Sequence, residues 1–249
     1  MKIRERLDKI IVDRGLVKSR DRARALIMAG NVWVDGRPVT KAGLCVNPDA
    51  DVAVKESDIP FVSRGGLKLE AALDSFGLDP SGKIAMDIGC STGGFTDCLL
   101  KRGARKVYAI DVGYGQLDWS LRQDPRVILH EKTNIRHFAR DLIPDTIDLV
   151  VIDVSFISLT LVLPRAHEFL RNGGDVLALV KPQFEVGKGM VEKGGIVRDE
   201  AKRLAAVRRI CEFAEASGLS VIGTCDSPIT GQKGNREYFI HLRRQEHGR

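Results

Sequence analysis

The sequence predicts an α/β protein, a doubly wound and mostly parallel seven-stranded sheet preceded by a small N-terminal α+β module. Three observations carry that prediction. From Gly65 onward, strand-length apolar runs near 84–88, 107–111, 127–131, 147–153, 175–181, 220–226 and 237–243 alternate with helix-like stretches near 66–77, 95–102, 117–122, 158–171 and 199–217. Regular alternation requires crossover connections, hence a sheet covered on both faces. The last two runs are joined by a short loop with no helix, so the final strand should be antiparallel. The third observation is the different texture of the roughly 60 residues ahead of Gly65, which suit a small second domain beside one ordinary core.

Those first residues read as two short helices and a hairpin. Leu7, Ile10, Ile11 and Leu16 fall at helical spacing, and Gly15 ends the turn. Ser19 is placed to cap a second helix through Ala23, Leu26 and Ile27 that stops at Gly30. Val32-Trp33-Val34, Asp35-Gly36 and Arg37-Pro38-Val39 form a tight hairpin. A linker read around Lys55 to Pro60 gives a module over 1–58, a connection over 59–64 and the α/β domain over 65–249. Basic residues crowd the module, among them Arg4, Arg6, Arg14, Lys18, Arg20 and Arg22, and charge alone fits a solvated face as well as a polyanion-binding one.

Composition narrows the class. The chain has 249 residues, 43% hydrophobic and 29% charged, with a net charge of +6 and a pI near 9.1. That is a soluble globular balance with a weak bias toward polyanionic partners. No apolar run approaches the roughly 18 residues of a membrane span, and the charged opening Met1-Lys-Ile-Arg-Glu-Arg argues against a signal peptide. Five cysteines stand singly without metal-ligand spacing, so we expect reduced thiols in the cytoplasm and no metal.

The first core strand runs into Asp87-Ile88-Gly89-Cys90-Ser91-Thr92-Gly93-Gly94-Phe95-Thr96. Small residues at a strand-to-helix turn let the backbone approach a ligand. The spacing is neither that of a dinucleotide binder nor of a P-loop, which disfavours NAD and ATP. Asp111 ends the next strand, where a carboxylate can accept from both ribose hydroxyls of an adenosine, and Asn134 follows the third strand within reach of an adenine edge. Taken singly, the glycines make a turn and Asp111 caps a helix. Taken together, Asp87, Gly89, Ser91, Gly93, Gly94, Phe95, Thr96, Asp111, Asn134 and Asp153 suit S-adenosylmethionine.

Four ionisable residues should gather at one edge of this sheet. Asp153 ends the fourth strand and Lys181 the fifth, both at the carboxyl edge. Glu237 begins the final strand, whose antiparallel direction returns its start to the same edge, and Lys68 lies on the helix before the first strand. Lys68, Asp153, Lys181 and Glu237 resemble the Lys-Asp-Lys-Glu tetrad of the FtsJ-type rRNA 2′-O-methyltransferases, and the antiparallel last strand is typical of the methyltransferase version of this fold.

The wider resemblance is to the TlyA family, which joins such a domain to an S-four RNA-binding module. It is carried by Arg6-Leu7-Asp8, Ala29-Gly30-Asn31-Val32 and Val34-Asp35-Gly36 in the module. In the larger domain it is carried by Ser63-Arg64-Gly65, Asp111-Val112-Gly113-Tyr114-Gly115-Gln116-Leu117, Ser155-Phe156-Ile157-Ser158-Leu159, Lys181-Pro182-Gln183-Phe184-Glu185 and Gly234-Asn235-Arg236-Glu237-Tyr238. The resemblance implies 2′-O-methylation of a cytidine in ribosomal RNA within a ribosomal subunit, with a basic face including Arg64 and Lys188 on the RNA. Because dual-specific members extend further at their ends, the large subunit is the expected target.

Ribose methylation needs the hydroxyl placed in line with the methyl, its proton removed and its charge balanced. Lys181 is expected to accept the proton or to stabilise the alkoxide, with Asp153 and Glu237 orienting lysines and ribose. Neighbouring chemistries lack their signatures: Asp153-Val154-Ser155-Phe156 is no amino-methyltransferase turn, and no cysteine follows a proline as in cytosine-C5 enzymes. The rivals are a non-catalytic ribosome-assembly factor and, from the family's historical label, a membrane-active hemolysin. Gly187 to Arg198 reads equally as a loop ordered by RNA or an ordinary connection. Trp119 is expected in the core, and Trp33 either packs the hairpin or stacks a base.

Overall fold

The computed structural model describes residues 4–17, 20–28, 30–41, 43–54, 59–187, 189–192, 194–231 and 234–245, with only the backbone of Asp21, Arg22 and Ala25. Lys18, Ser19, Lys188 and Lys193 lie outside the described residues. The chain divides into two compact units, Met1–Ser63 and Arg64–Arg249.

In the first unit, β1 (Glu5–Arg6) leads directly into α1 (Leu7–Asp13), followed by α2 (Arg20–Met28), β2 (Val32–Val34), β3 (Arg37–Val39), β4 (Cys45–Val46) and β5 (Val52–Val54). Leu7, Ile10 and Ile11 pack with Ala23, Leu26 and Ile27, because a 3.6-residue period puts them on facing stripes of two helices, and Val32 of β2 joins the cluster. Asp35 and Gly36 both take positive φ, the geometry that a two-residue hairpin between β2 and β3 requires. Three strands escaped the sequence reading. β5 adds to β2 as a third strand, and β1 pairs with β4. Two- and three-residue strands are too short to display a period.

The second unit contains α3 (Gly65–Phe76), β6 (Ile84–Ile88), α4 (Gly94–Lys101), β7 (Lys106–Ile110), α5 (Trp119–Arg122), β8 (Val127–His130) and β9 (Ile147–Ile152). It continues through α6 (Leu163–Phe169), β10 (Leu170–Val180), α7 (Pro182–Glu185), α8 (Glu200–Ala216), β11 (Leu219–Asp226) and β12 (Tyr238–Arg244). The seven strands order as β11-β12-β10-β9-β6-β7-β8. β6 pairs in parallel with both β7 and β9, whereas β12 runs antiparallel between β10 and β11. The chain therefore starts in the middle and winds outward both ways, which leaves a crevice beyond the carboxyl ends of β6 and β9. All five residues of β6 are buried, as a central strand covered on both faces must be.

Boundaries shift slightly against the sequence reading. Asp111, Asp153 and Lys181 stand one residue beyond β7, β9 and β10, and Glu237 one residue before β12. The stretch read as one helix over 158–171 splits into a 3-10 turn at Leu159–Leu161 and α6. Trp119 is no core residue, being largely exposed on the four-residue α5, where only Leu121 is buried.

Candidate active site at the carboxyl edge of the sheet

The loop leaving β6 is shaped by what its backbone touches. Gly89 has φ +88°, and a Cβ there would lie 2.6 Å from the Asp153 carbonyl oxygen, so only glycine lets the β6 and β9 ends come this close. Gly93 has φ +95°, and a Cβ there would meet Leu121 and Leu117 at 2.3 and 2.7 Å. Gly94, Phe95 and Thr96 open α4 and are buried. Thr96 Oγ1 donates to Asp87 Oδ2 at 2.7 Å. Burial, reinforced by the nearby Asp153 and Asp111 charges against the Thr96 hydrogen bonds, pushes the Asp87 carboxyl up to about 7. Its Oδ1 is buried with no hydrogen-bond partner among the described residues.

Asp111 is held rigidly by its own neighbours. Ser91 N donates to Oδ2 at 2.7 Å and Gly113 N to Oδ1 at 2.6 Å. Each carboxylate oxygen still has a further lone pair to offer. Asn134 has a local task, since its Oδ1 accepts from Arg136 N at 3.0 Å and caps the 3-10 turn Ile135–His137. Cys90 lies buried in the same loop, and burial drives its thiol far above the usual range, so it packs as a small apolar group. A glycine cradle on the backbone of the neighbouring strand, an oriented carboxylate and an orphaned buried oxygen fit an adenosyl ligand carrying a positive charge.

Beside this loop the four ionisable side chains meet as two ion pairs. Lys68 Nζ, from α3, lies 2.5 Å from Glu237 Oε2, with both side chains nearly buried. Lys181 Nζ lies 2.5 Å from Asp153 Oδ1. The pairing of β10 with β12 ends at Val180↔Tyr238, so Lys181 and Glu237, each one residue beyond it, stand at the same edge of the sheet. Lys181 also donates to Ser155 Oγ at 3.0 Å, a contact the sequence reading missed. Nothing in the spacing of Ser155 signals it, because the contact spans two loops. The next residue, Phe156, takes φ +64° with its ring almost fully exposed, a strained conformation for a bulky side chain.

Buried tethers hold these loops. Glu185 on α7 accepts from Ser158 Oγ at 2.6 Å and Leu159 N at 2.8 Å, tying the segment after Asp153 to the segment after Lys181. Asn235 accepts from Val197 N at 3.1 Å and donates to the Gly195 carbonyl at 2.9 Å. The described part of the 187–198 stretch is thus fastened, with Glu192 bridging Ile196. Gly231 leaves room for Glu237, since a Cβ would fall 1.9 Å from Oε1.

The basic residues lie on both units. Arg4, Arg6, Arg14 and Arg20 are exposed or half-exposed in the first, where Arg14 donates to the Pro48 carbonyl. Arg64 in the second donates to the Thr230 carbonyl at 3.3 Å. The side chain of Arg22 is outside the description. No group of His, Cys, Asp and Glu among the described residues could hold a metal, and no helix there is long and apolar enough to cross a membrane.

Residues 61–244 match the family model of the FtsJ-like methyltransferases, and residues 5–52 match the S4 domain, the S-four module. The chain is 47% identical to a Mycobacterium tuberculosis protein named 16S/23S rRNA (cytidine-2′-O)-methyltransferase TlyA, over 97% of this chain and 91% of that one. It is 38% identical to a Campylobacter jejuni protein named 23S rRNA (cytidine-2′-O)-methyltransferase TlyA, over 73% and 70% of the two chains. A solved structure from Streptococcus thermophilus that carries a hemolysin name superposes with a TM-score of 0.77 at 42% identity, covering 99% of this chain and 90% of that one. The chain belongs to the TlyA family, FtsJ-like methyltransferases whose catalytic domain follows an S4 domain in sequence.

Proposed function

We propose that this chain transfers the methyl group of S-adenosylmethionine to the ribose 2′-hydroxyl of a cytidine in large-subunit ribosomal RNA, and acts in the cytoplasm. The observation that supports the reading is the matched set of two lysines and two carboxylates beside the glycine cradle. When bound, the cofactor supplies a methyl on a positively charged sulfur. Gly89, Ser91, Gly93, Gly94, Phe95 and Thr96 shape its loop, Asp111 accepts from the adenosine ribose, and Asp87 and Asp153 line the crevice below. Lys181, steadied by Asp153 and Ser155, either accepts the 2′-hydroxyl proton as a neutral amine or, as an ammonium, stabilises the negative charge that develops on the hydroxyl oxygen. The Lys68–Glu237 pair fixes the other wall and orients the ribose. Arg4, Arg6, Arg14, Lys18, Arg20, Arg22, Arg64 and Lys188 grip the RNA backbone.

The M. tuberculosis relative is named for both subunits and the C. jejuni relative for the large one alone, so large-subunit RNA is the target common to both names. The test combines purified protein, labelled S-adenosylmethionine and ribosomal subunits lacking the modification, with nucleoside mass spectrometry of the digested RNA. We expect 2′-O-methylcytidine from the large subunit. A base-methylated nucleoside or no labelled nucleoside would overturn the reading, and label in the small subunit alone would overturn the choice of target.

A further inference from the structure

Asp8 sits in the first turn of α1 with no exposed surface, although it carries a carboxylate. Three arginines converge on it. Arg6 donates through Nε to Oδ1 and through Nη2 to Oδ2, both at 2.9 Å. Arg20 Nη2 reaches Oδ2 at 3.2 Å and Arg24 Nε reaches it at 3.1 Å. Arg20 and Arg24 are four residues apart on α2 and so share one face of that helix. All three arginine side chains remain about half exposed.

One bidentate guanidinium matches the charge of one buried carboxylate. Here three are gathered on one carboxylate, a common anchor that orients their half-exposed heads. A group of oriented, planar, half-exposed donors suits a phosphodiester, which the guanidinium fork matches in geometry as well as charge. We propose that Asp8 is a positioning residue for RNA binding, holding Arg6, Arg20 and Arg24 as a preorganised clamp for the phosphodiester backbone of structured RNA. This adds Arg24 to the RNA-contacting set and rests on the reading that the substrate is RNA.

The clamp and a diffuse basic face differ in sign. If the arginines act only as positive charge, Asp8→Asn raises the net charge by one and tightens binding. If Asp8 positions them, its neutral amide cannot hold three guanidiniums, and binding weakens by about tenfold despite the added charge. The measurement is the Kd of the full-length protein for a labelled stem-loop RNA over a series of salt concentrations, with thermal unfolding of each variant alongside. Arg20→Lys and Arg24→Lys keep the charge but lose the fork that spans carboxylate and phosphate. Each should weaken binding roughly threefold with little change in melting temperature. These variants decide the matter if Asp8→Asn proves unfolded. Wild-type protein that fails to bind RNA contradicts the functional reading itself. Wild-type protein that binds, with Asp8→Asn binding as well or better, or with both lysine variants unchanged, overturns the clamp alone.

Discussion

Asp8 in the first unit and Asp87 in the second are both shut off from solvent, yet their surroundings drive them in opposite directions. The guanidinium of Arg6, with those of Arg24 and Arg20, holds the Asp8 carboxyl far below the usual range. Asp87 has a threonine hydroxyl and two neighbouring carboxylates instead, and burial lifts it to about 7. Burial alone therefore does not set the charge of an aspartate; the partners do. The first unit gathers three guanidiniums on one buried carboxylate. The sheet edge pairs Lys68 with Glu237 and Lys181 with Asp153, and among the described residues no cation pairs with Asp87. Clustered guanidiniums suit holding a polyanion, and paired charge suits moving a proton.

The largest expected effect separates the two aspartates by pH. With its carboxyl raised, folded Asp87 keeps a proton that the unfolded chain releases between about pH 4 and about 7. Stability should fall as pH rises through that window and level off above it, by up to about 4 kcal/mol. Asp87→Asn should flatten this limb in urea unfolding, and an unchanged slope would show that another group is responsible. Asp8 contributes with the opposite sign: its stabilisation is full above the ordinary carboxylate range and is lost as pH falls below it. Asp8→Asn should accordingly lower stability above the carboxylate range and flatten only the acid limb, leaving the slope between about pH 4 and about 7 unchanged.

Lys68→Met sharpens the contrast between paired and clustered charge. It strands the nearly inaccessible Glu237 carboxylate, at a cost of about 3 kcal/mol, whereas Arg24→Lys in the three-arginine cluster should cost under about 1 kcal/mol. Equal costs in thermal unfolding would erase the distinction. Gly231→Ala should force the Glu237 carboxylate out of place and slow methyl transfer about a hundredfold, with RNA affinity unchanged. An unaltered rate would mean that the position of Glu237 is immaterial. The smallest effect belongs to Asn134→Ala. Because its oxygen already caps a turn, the change should cost about 1 kcal/mol in stability and shift cofactor affinity, read by calorimetry, less than about twofold.

Sheet topology was legible because it follows from period and connection length. Once the last strand had to be antiparallel, Glu237 had to return to the edge that holds Asp153 and Lys181, and the pairing of Val180 with Tyr238 sets it there. Contacts between loops were not legible. Ser155 meets Lys181, and Glu185 ties two segments together, through tertiary approach that no local pattern encodes. Trp119 misled because a large apolar residue suggests burial, while a single-turn helix has too few residues to show which side faces inward. Asp8 belongs to the Arg6-Leu7-Asp8 motif that carries the resemblance, but the convergence on it of arginines from β1 and α2 appears only in three dimensions.

The most direct test of the account is the single-turnover rate of Lys181→Ala on saturating unmodified large subunits, measured together with its affinity for them. The account predicts a rate lower by about a thousandfold with affinity unchanged, since Lys181 serves the chemistry and the basic residues serve the grip. A rate close to that of the wild-type protein would contradict it.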